Sequence, residues 1–450
     1  MKSLFLIVII LTALTIALGG ESLTLTVDKA VEMLIAQNLA LKQSSIDVRS
    51  YSRSKDNSWN SFLPSMSLSG GIQSNAGIID FGDGDVKKIT DPGAFGFSTG
   101  IKLTLLLNTA IIHEIKARIV DYDAGLISYE DAKKKLERDV RKQFYLLLSN
   151  RENIQIQKNN IELAEKRLEQ ARNNFEHGLV QELDVLSAEV TLAGLQPTYN
   201  STITEHERLM LFFKFLIGVD RNTEINLDGS LDAEVYQFDA ENLIGKSISR
   251  RFDIRSLEKQ IESLKLKKEV LRQNYNLPAL TLDYTYGISG SNANRNNSYP
   301  PSPIEQWSNW ADAGKLQITL GWRFDGLIPG SSSNIQIRRS QDAIDKLVLA
   351  KQMALESAAI EITNLVNRLE TARKTIDASA SNVELARRNF ELTERAYNVG
   401  AREILDVDTS QQKYLEASQQ LLYSRYEYIA ELLNLEYELN TPIDELLDSK

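Results

Sequence analysis

The sequence repeats itself, and this internal duplication is the feature that most limits how the chain can fold. Residues 161–187 and 383–409 align without a gap after a shift of 222 residues, which places Gly178 on Gly400. Self-similarity of this kind indicates that one supersecondary unit occurs twice. We therefore predict two similar structural halves.

The N-terminal segment completes the predicted domain organisation. Lys2 precedes an apolar run from Leu4 to Leu18, and small residues follow it, which is typical of a cleaved signal peptide. The alternative is a transmembrane anchor, which normally needs about 20 apolar residues. The predicted segments are a signal peptide (1–20), a first structural repeat (21–220), a linker (221–241), a second repeat (242–440) and a C-terminal tail (441–450).

Apolar residues recur at every seventh position over long stretches of both halves. These positions are Val140, Leu147, Ile154, Ile161, Leu168 and Phe175 in the first half and Ile362, Leu369, Ile376, Val383, Phe390 and Tyr397 in the second. A sustained seven-residue repeat keeps one side of a helix against a partner and predicts supercoiled helices. The pattern from about Ile112 to Glu176 corresponds to a helix of about 100 Å at 1.5 Å per residue.

Both helical patterns stop at a glycine, and a second helix resumes shortly afterwards. Gly178 and Gly400 occupy positions typical of helix C-caps, while Asp184 and Asp406 follow where a carboxylate stabilises the start of a helix. Each half is therefore predicted to end in a helical hairpin with a tight tip. Pro197 lies within the returning helix of the first half, where we expect a kink.

Four segments instead alternate between apolar and polar residues, as strands do. Their apolar rows are Met66, Leu68 and Ile72; Phe95, Phe97, Ile101, Leu103 and Leu105; Leu280, Leu282, Tyr284, Tyr286 and Ile288; and Leu316, Ile318, Leu320, Trp322 and Phe324. The apolar face fits either a protein core or lipid, and the strand length of about 10 residues or more is near that needed to span a membrane. Residues 75–93 and 290–314 are predicted to be exposed loops.

Four strands per chain limit how such a sheet can exist in a membrane. Four strands are too few to close a barrel, and an open sheet edge leaves backbone groups unpaired, which is very unfavourable in hydrocarbon. If the strands span a membrane, several copies must assemble.

Composition and residue usage exclude several other classes of function. The net charge of -10 disfavours a nucleic-acid partner, and the absence of cysteine excludes disulfides and thiolate chemistry. His113, His177 and His206 each stand alone, without further ligands at metal spacing. We predict that the chain is not an enzyme and that it uses no cofactor or metal.

Four short motifs, in this order, carry a resemblance to a known family. They are Asn38-Leu39-Ala40-Leu41, Leu63-Pro64-Ser65-Met66, His177-Gly178-Leu179 continuing to Leu183-Asp184-Val185-Leu186, and Gly321-Trp322-Arg323-Phe324-Asp325-Gly326. With the duplication, they make the mature chain resemble the TolC-like outer membrane efflux protein family over essentially its whole length.

This resemblance implies a fold, an assembly and a function. The implied fold is an α+β membrane protein: a homotrimer in which each protomer contributes four strands to a twelve-stranded outer-membrane β-barrel and long helical hairpins to a coiled-coil barrel in the periplasm. The implied function is the exit duct of a tripartite efflux or type I secretion system. Such a duct passively conducts substrates from a periplasmic adaptor protein and an inner-membrane pump or ABC exporter. The alternative is a secreted or periplasmic coiled-coil structural protein without transport activity.

The same resemblance suggests which residues form the functional sites. Adaptor-contacting tips are expected at Gly178, Leu179, Leu183 and Asp184, and at Gly400, Ala401, Leu405 and Asp406. The second tip carries Ala401-Arg402 where the first has Leu179-Val180, so the two tips need not bind an adaptor equally. Asp184, Asp406 and Asp408 are candidates for a carboxylate gate, with helix capping as the favoured alternative for the first two. Asp408 is therefore the preferred gate candidate.

Overall fold

The computed structural model describes residues 23–74, 79–80, 87–88, 95–232, 234–291, 310–442 and 445. The predicted signal peptide and most of the predicted C-terminal tail lie outside these residues. In the described part, no helix has both the length and the apolar character needed to cross a membrane.

Apart from one pair of two-residue strands in the first half, the order of the described helices and strands repeats between the two halves. The first half contains β1 (Leu23–Leu25), α1 (Val27–Gln37), α2 (Leu39–Asp56), β2 (Ser65–Ser74), β3 (Ile79–Asp80), β4 (Lys87–Lys88), β5 (Phe95–Leu107), α3 (Ala110–Glu176) and α4 (Glu182–Ile217). The second contains β6 (Ile225–Leu227), α5 (Ala240–Ser247), α6 (Phe252–Asn276), β7 (Pro278–Ser291), β8 (Trp310–Trp322), α7 (Ser332–Asn398) and α8 (Ile404–Leu439). The helices α3 and α7 each have 67 residues, and α4 and α8 each have 36. The predicted long hairpins are thus confirmed in both halves.

The chain divides into two compact units that each combine residues of both halves. A helical unit contains the described residues up to Val48, Leu126–Ser256 and the chain from Lys351 onwards, and a sheet unit contains Arg49–Gly125 and Leu257–Ala350. This spatial division differs from the sequence repeats, whose boundaries stay a prediction.

In the helical unit, the seven-residue repeat forms the buried side of the long helices. Val140 and Leu147 are completely buried and pack with residues of α1, α4 and α8, and Ile362 and Leu369 are buried in a second cluster with α8. Phe175, the last position of the first repeat, is exposed close to the tip. The predicted packing side of both helices is confirmed. Helix α4 continues without interruption through Pro197, so the expected kink stays a prediction.

A buried asparagine explains the first of the four motifs. Asn38 ends α1, and its side-chain amide donates a hydrogen bond to the carbonyl oxygen of Leu216 at 2.8 Å. Its side-chain oxygen accepts from the backbone N–H of Leu41 at 3.0 Å, which satisfies a free donor at the start of α2. One residue therefore breaks a helix, begins the next and holds both against the end of α4.

The predicted linker at 221–241 contains a strand that the sequence did not indicate. Residues 225–227 pair in parallel with β1, so that Leu25 lies opposite Leu227 and both are buried. A strand of three residues is too short to show a period-two pattern, and its pairing partner lies about 200 residues away in the sequence.

The sheet unit contains a four-stranded antiparallel sheet with the order β2-β5-β7-β8. The register aligns the apolar rows, because Met66, Leu103, Tyr284 and Leu316 lie side by side across the four strands. Met66 and Leu316 are 75% and 66% exposed, so this apolar face is not covered by the rest of the chain. The strands β2 and β8 have no partner on their outer edges among the described residues.

The opposite face of the sheet is polar. Asp283 accepts a hydrogen bond from the Thr104 hydroxyl at 2.6 Å and forms an ion pair with Lys102 at 3.1 Å. The sheet therefore separates an exposed apolar side from a side that holds charged and hydroxyl groups.

Two loop predictions were wrong in their extent. Residues 290–291 and 310–314 belong to β7 and β8, and residues 79–80 and 87–88 form a small antiparallel pair inside the first predicted loop. Glycine, serine and aspartate at these positions suggested a loop, but ladder hydrogen bonds use only the backbone and bring Gly290 opposite Trp310. Phe324, predicted in the last strand, lies beyond its end at Trp322.

Candidate functional site

The first hairpin tip is a short turn closed by backbone hydrogen bonds. Gly178 has a positive φ of 71°, and the Leu179 amide donates to the carbonyl of Asn174 at 2.8 Å. This satisfies a carbonyl at the end of α3 in the way that glycine C-caps do. Asp184 then accepts a hydrogen bond from the backbone N–H of Gln181 at 3.1 Å. Asp184 thus stabilises the start of α4, which is the capping role favoured from the sequence.

The second tip repeats this backbone geometry with different side chains. Gly400 has a φ of 74°, and the Ala401 amide donates to the carbonyl of Ala396 at 2.8 Å. Asp406 lies in the first turn of α8, where its carboxylate forms an ion pair with Arg402 at 3.4 Å.

The two tips present different surfaces to solvent. At the first tip, Leu179 and Leu183 are 73% and 70% exposed, and no ion pair stands between them in the sequence. At the second tip, Leu405 is also exposed, but it lies beside the ion pair of Arg402 with Asp406. The difference in sequence between the tips is therefore also a difference in surface chemistry.

Behind the tips, a buried ion pair joins the two hairpins. Arg167 on α3 contacts Asp408 on α8 at 2.8 Å, and their side chains are only 8% and 12% exposed. The Thr191 hydroxyl on α4 donates to the other oxygen of Asp408 at 2.9 Å, and Arg167 also donates to the side-chain oxygen of Gln411. Gln411 in turn donates to the side chain of Asn160. Three helices are thus held together by one polar network.

This network changes how Asp408 must be interpreted. From the sequence, Asp408 was not expected to cap a helix, and no partner for its charge could be predicted. In the structure, its carboxylate contacts the guanidinium of Arg167, 241 residues away in the sequence. The carboxylate also borders a groove of about 780 Å³ between α4 and α8, which is lined by apolar side chains such as Leu183, Val190 and Leu415. Asp408 is therefore adjacent to open space, but its charge is balanced by Arg167.

Tyr397 ends the second seven-residue repeat close to these carboxylates. Its pKa is raised by burial and, to a smaller extent, by the negative charges of Asp184 and Asp408. Its hydroxyl is buried without a hydrogen-bond partner in the described part of the chain.

A second buried cluster lies elsewhere in the helical unit, and the sequence gave no indication of it. Arg251 is almost fully buried and forms ion pairs with Asp253 at 3.0 Å, Glu361 at 3.1 Å and Glu438 at 2.5 Å. Burial raises the pKa of Glu438, while the charge of Arg251 opposes this effect. Each contact is long-range or depends on a turn, so no local pattern could reveal it.

The three histidines do not come together. His177 contacts the carbonyl of Asn173 at 2.7 Å at the end of α3, and His206 lies half-buried on α4. Among the described residues, no group of three or more His, Asp or Glu side chains is placed to hold a metal ion.

Two features define the class of this protein. It is internally duplicated, with two long helical hairpins that end at glycines, and it has a four-stranded antiparallel sheet with one exposed apolar face. The chain belongs to the outer membrane efflux protein family, whose sequence model matches residues 30–200 and 243–441. The resemblance inferred from the four motifs is thereby confirmed.

Several curated relatives are outer membrane protein TolC sequences. The chain is 27% identical over 282 residues to TolC of Salmonella enteritidis, covering 61% of this chain and 55% of that protein. It is 23% identical over 315 residues to TolC of Vibrio cholerae, covering 67% of each chain. The match with the first relative thus spans little more than half of that protein's length.

Solved structures show the same fold at lower sequence identity. The outer membrane channel CmeC of Campylobacter jejuni has a TM-score of 0.72 at 16% identity and covers 94% of this chain and 88% of its own. The outer-membrane channel OprN has a TM-score of 0.71 at 16% identity, covering 92% and 90%. The open state of MtrE of Neisseria gonorrhoeae has a TM-score of 0.67, also at 16% identity, covering 92% and 89%. The predicted α+β architecture with long hairpins thus agrees with the folds of these channels.

Proposed function

We propose that the protein is an outer-membrane efflux channel, the passive exit duct of a tripartite efflux or type I secretion system. The observation that carries this proposal is the sheet of β2, β5, β7 and β8. Its strands have 10 to 14 residues, its apolar rows are aligned and exposed, and its polar face carries charged and hydroxyl groups. A lipid-facing side and a water-facing side of this length match a transmembrane barrel wall.

The open edges of this sheet support an oligomer. Unpaired N–H and C=O groups on β2 and β8 have no water to bind in hydrocarbon, so further strands must pair with them. With four strands from each chain, three copies give the twelve-stranded barrel that the family resemblance implies. The long hairpins would then lie in the periplasm.

The hairpin tips are the proposed contacts with a periplasmic adaptor protein, which would connect the channel to an inner-membrane pump or ABC exporter. Leu179, Leu183 and Leu405 are exposed apolar side chains at turns that the glycines hold in a fixed geometry. An adaptor that buries these side chains would gain about 1.5–3 kcal/mol for each fully buried leucine before entropic costs.

A gate of carboxylates is proposed at the same end of the hairpins. Asp406 is the more accessible candidate, whereas Asp408 reaches the groove with its charge balanced by Arg167. We expect Asp406→Ala to lower cation selectivity in lipid-bilayer recordings, and Asp408→Ala to alter it as well if the buried pair opens during conduction. Unchanged selectivity and conductance in both variants would exclude the gate.

The channel proposal is tested by membrane fractionation of protein expressed with its N-terminal segment, followed by light scattering in detergent. A trimer in the outer membrane that conducts ions in planar bilayers is the expected result. A soluble monomer or dimer would mean that the apolar sheet face is covered by protein, and the alternative of a coiled-coil structural protein would then replace the channel.

A further inference from the structure

The groove between α4 and α8 combines apolar walls with a volume suited to a small molecule. Its volume of about 780 Å³ lies within the range of about 300–1,000 Å³ that is usual for ligand pockets. Helix α3 contributes Gln157 and Asn160 to the lining, and α4 and α8 contribute most of the apolar side chains. These apolar side chains are Leu183, Leu186, Val190, Leu195, Leu405 and Leu415. Val190 is 72% exposed, so the chain itself leaves this wall uncovered.

A glycine on α4 keeps part of the groove open. Gly194 lines the groove, and a Cβ atom built on it meets no other atom within 4 Å. Gly194 is not among the described glycines with a positive φ, so its backbone would accept any other residue that favours a helix. A glycine inside a helix is less favourable than alanine by about 1 kcal/mol. The glycine therefore leaves space in the groove that a side chain would fill.

The lining of the groove carries negative charge. Among the described residues that line it, Asp408 and Glu416 are the charged ones, and no lysine or arginine is present. Arg167 balances Asp408 from a buried position outside the lining. Glu416 accepts a hydrogen bond from the side chain of Gln412 at 3.1 Å but forms no ion pair within the described part of the chain. The groove therefore has an uncompensated negative charge at Glu416.

The volume of the groove fits a small molecule better than a helix of another protein. Its lining on α4 runs from Leu183 to Thr198, which corresponds to about 22 Å along a helix axis. A helix of that length with a diameter of about 10 Å takes up roughly 1,700 Å³, about twice the volume of the groove. A helix therefore enters only in part, whereas a drug-sized molecule is accommodated completely.

We infer that this groove binds an apolar organic cation, a molecule with a bulky hydrocarbon or aromatic body and one positive charge. The body packs on the leucine and valine side chains, and the cationic group lies at the carboxylate of Glu416. Burial of apolar surface supplies most of the affinity, and the carboxylate supplies the preference for positive charge. The inference rests on the proposed channel function and adds a chemical class of cargo that the chain holds beside its hairpin tips.

Equilibrium dialysis with tetraphenylphosphonium tests this inference. The full-length protein is placed in lipid nanodiscs, and the binding to protein-free nanodiscs is subtracted. Tetraphenylborate is the matched control ligand, because it has the same four phenyl groups and the opposite charge. We expect saturable binding of one tetraphenylphosphonium ion per chain and about tenfold weaker binding of tetraphenylborate, since attraction by Glu416 is replaced by repulsion.

Two pairs of variants separate the effect of the charge from that of the space. Glu416→Gln should weaken the binding of tetraphenylphosphonium about threefold to fivefold, whereas Glu165→Gln, at an exposed position on α3 outside the groove, should leave it unchanged. Gly194→Phe fills the free space and should abolish saturable binding. Gly245→Phe on α5 is its control, because a Cβ atom at Gly245 also meets nothing within 4 Å. Far-ultraviolet circular dichroism shows whether each variant is folded.

Several results would overturn the inference. They are equal binding of the two ions, equal binding by Glu416→Gln and Glu165→Gln, and retained binding in a folded Gly194→Phe variant. The absence of saturable binding, which is expected if only a helix of another protein occupies the groove, would overturn it as well. Light scattering and planar-bilayer recordings of the same protein distinguish this failure from that of the channel proposal. A conducting trimer that binds neither ion leaves the channel proposal intact, whereas the absence of a conducting trimer would overturn that proposal and the role of the bound cation as cargo.

Discussion

The buried pair of Arg167 and Asp408 allows a quantitative prediction. At 2.8 Å, the Coulomb attraction is roughly 6 kcal/mol with an effective dielectric constant of about 20. Taking both charges out of water costs several kcal/mol per ion, so the pair as a whole contributes little net stability. Removing one partner alone leaves the other charge buried and is therefore expected to be strongly destabilising.

We predict that Arg167→Met lowers the free energy of unfolding by about 3–5 kcal/mol. The double variant Arg167→Met with Asp408→Leu should recover most of this loss, because no unpaired buried charge remains. In the single variant, the hydroxyl of Thr191 still donates a hydrogen bond to the unpaired carboxylate of Asp408. We therefore expect a loss of unfolding free energy near the lower end of this range. The free energy of unfolding is measured by urea titration in detergent, with far-ultraviolet circular dichroism as the signal. The unmodified protein, both single variants and the double variant together form a double-variant cycle.

Arg208 provides the matched control. It pairs with Glu205 at 2.6 Å on the same hairpin, but both side chains are exposed. Arg208→Met should therefore leave the unfolding midpoint unchanged within error. The reasoning is refuted if Arg167→Met and Arg208→Met behave alike, or if the effects of Arg167→Met and Asp408→Leu simply add.

Three further predictions follow from other parts of the structure. Gly400→Ala should destabilise the second hairpin by about 1–2 kcal/mol in thermal unfolding, because its φ is positive, whereas Gly194→Ala inside α4 should be neutral or stabilising. Burial lowers the pKa of His206, so on acidification the unfolded chain binds a proton at this residue before the folded chain does. The free energy of unfolding should therefore fall as the pH drops below 6.5, and His206→Gln should make this dependence on pH weaker. An NMR titration that puts the pKa of His206 at or above 6.5 would contradict this. Ile318→Arg on the apolar sheet face should cost about 2–4 kcal/mol of membrane insertion and deplete the proposed outer-membrane trimer, while Gln317→Arg on the polar face should not. Equal assembly of both variants would argue against a lipid-facing sheet.

At the hairpin tips, part of the local structure could be predicted from the sequence. Gly178 and Gly400 could be placed as helix ends, because a positive φ favours glycine and the helical periodicity stops there. The capping role of Asp184 followed from its distance to the start of α4. The partner of Asp408 did not follow, since Arg167 lies on another helix in the other half of the chain.

Features that depend on neighbouring residues could be predicted from the amino-acid sequence alone. Period-seven rows specified the long helices and their packing sides, glycines specified the tips, and period-two rows specified the sheet and its apolar face. Each of these patterns is local, because a helix or a strand repeats its geometry every few residues.

Which distant residues contact one another became visible only in the folded chain. The tertiary structure paired β1 with a strand in the predicted linker, joined the hairpins through Arg167 and Asp408, and surrounded Arg251 with three carboxylates. It also showed that strand pairing continues through glycine-rich and polar segments that the sequence assigned to loops. Such contacts depend on how whole helices and strands pack in space, and sequence separation carries no record of that packing.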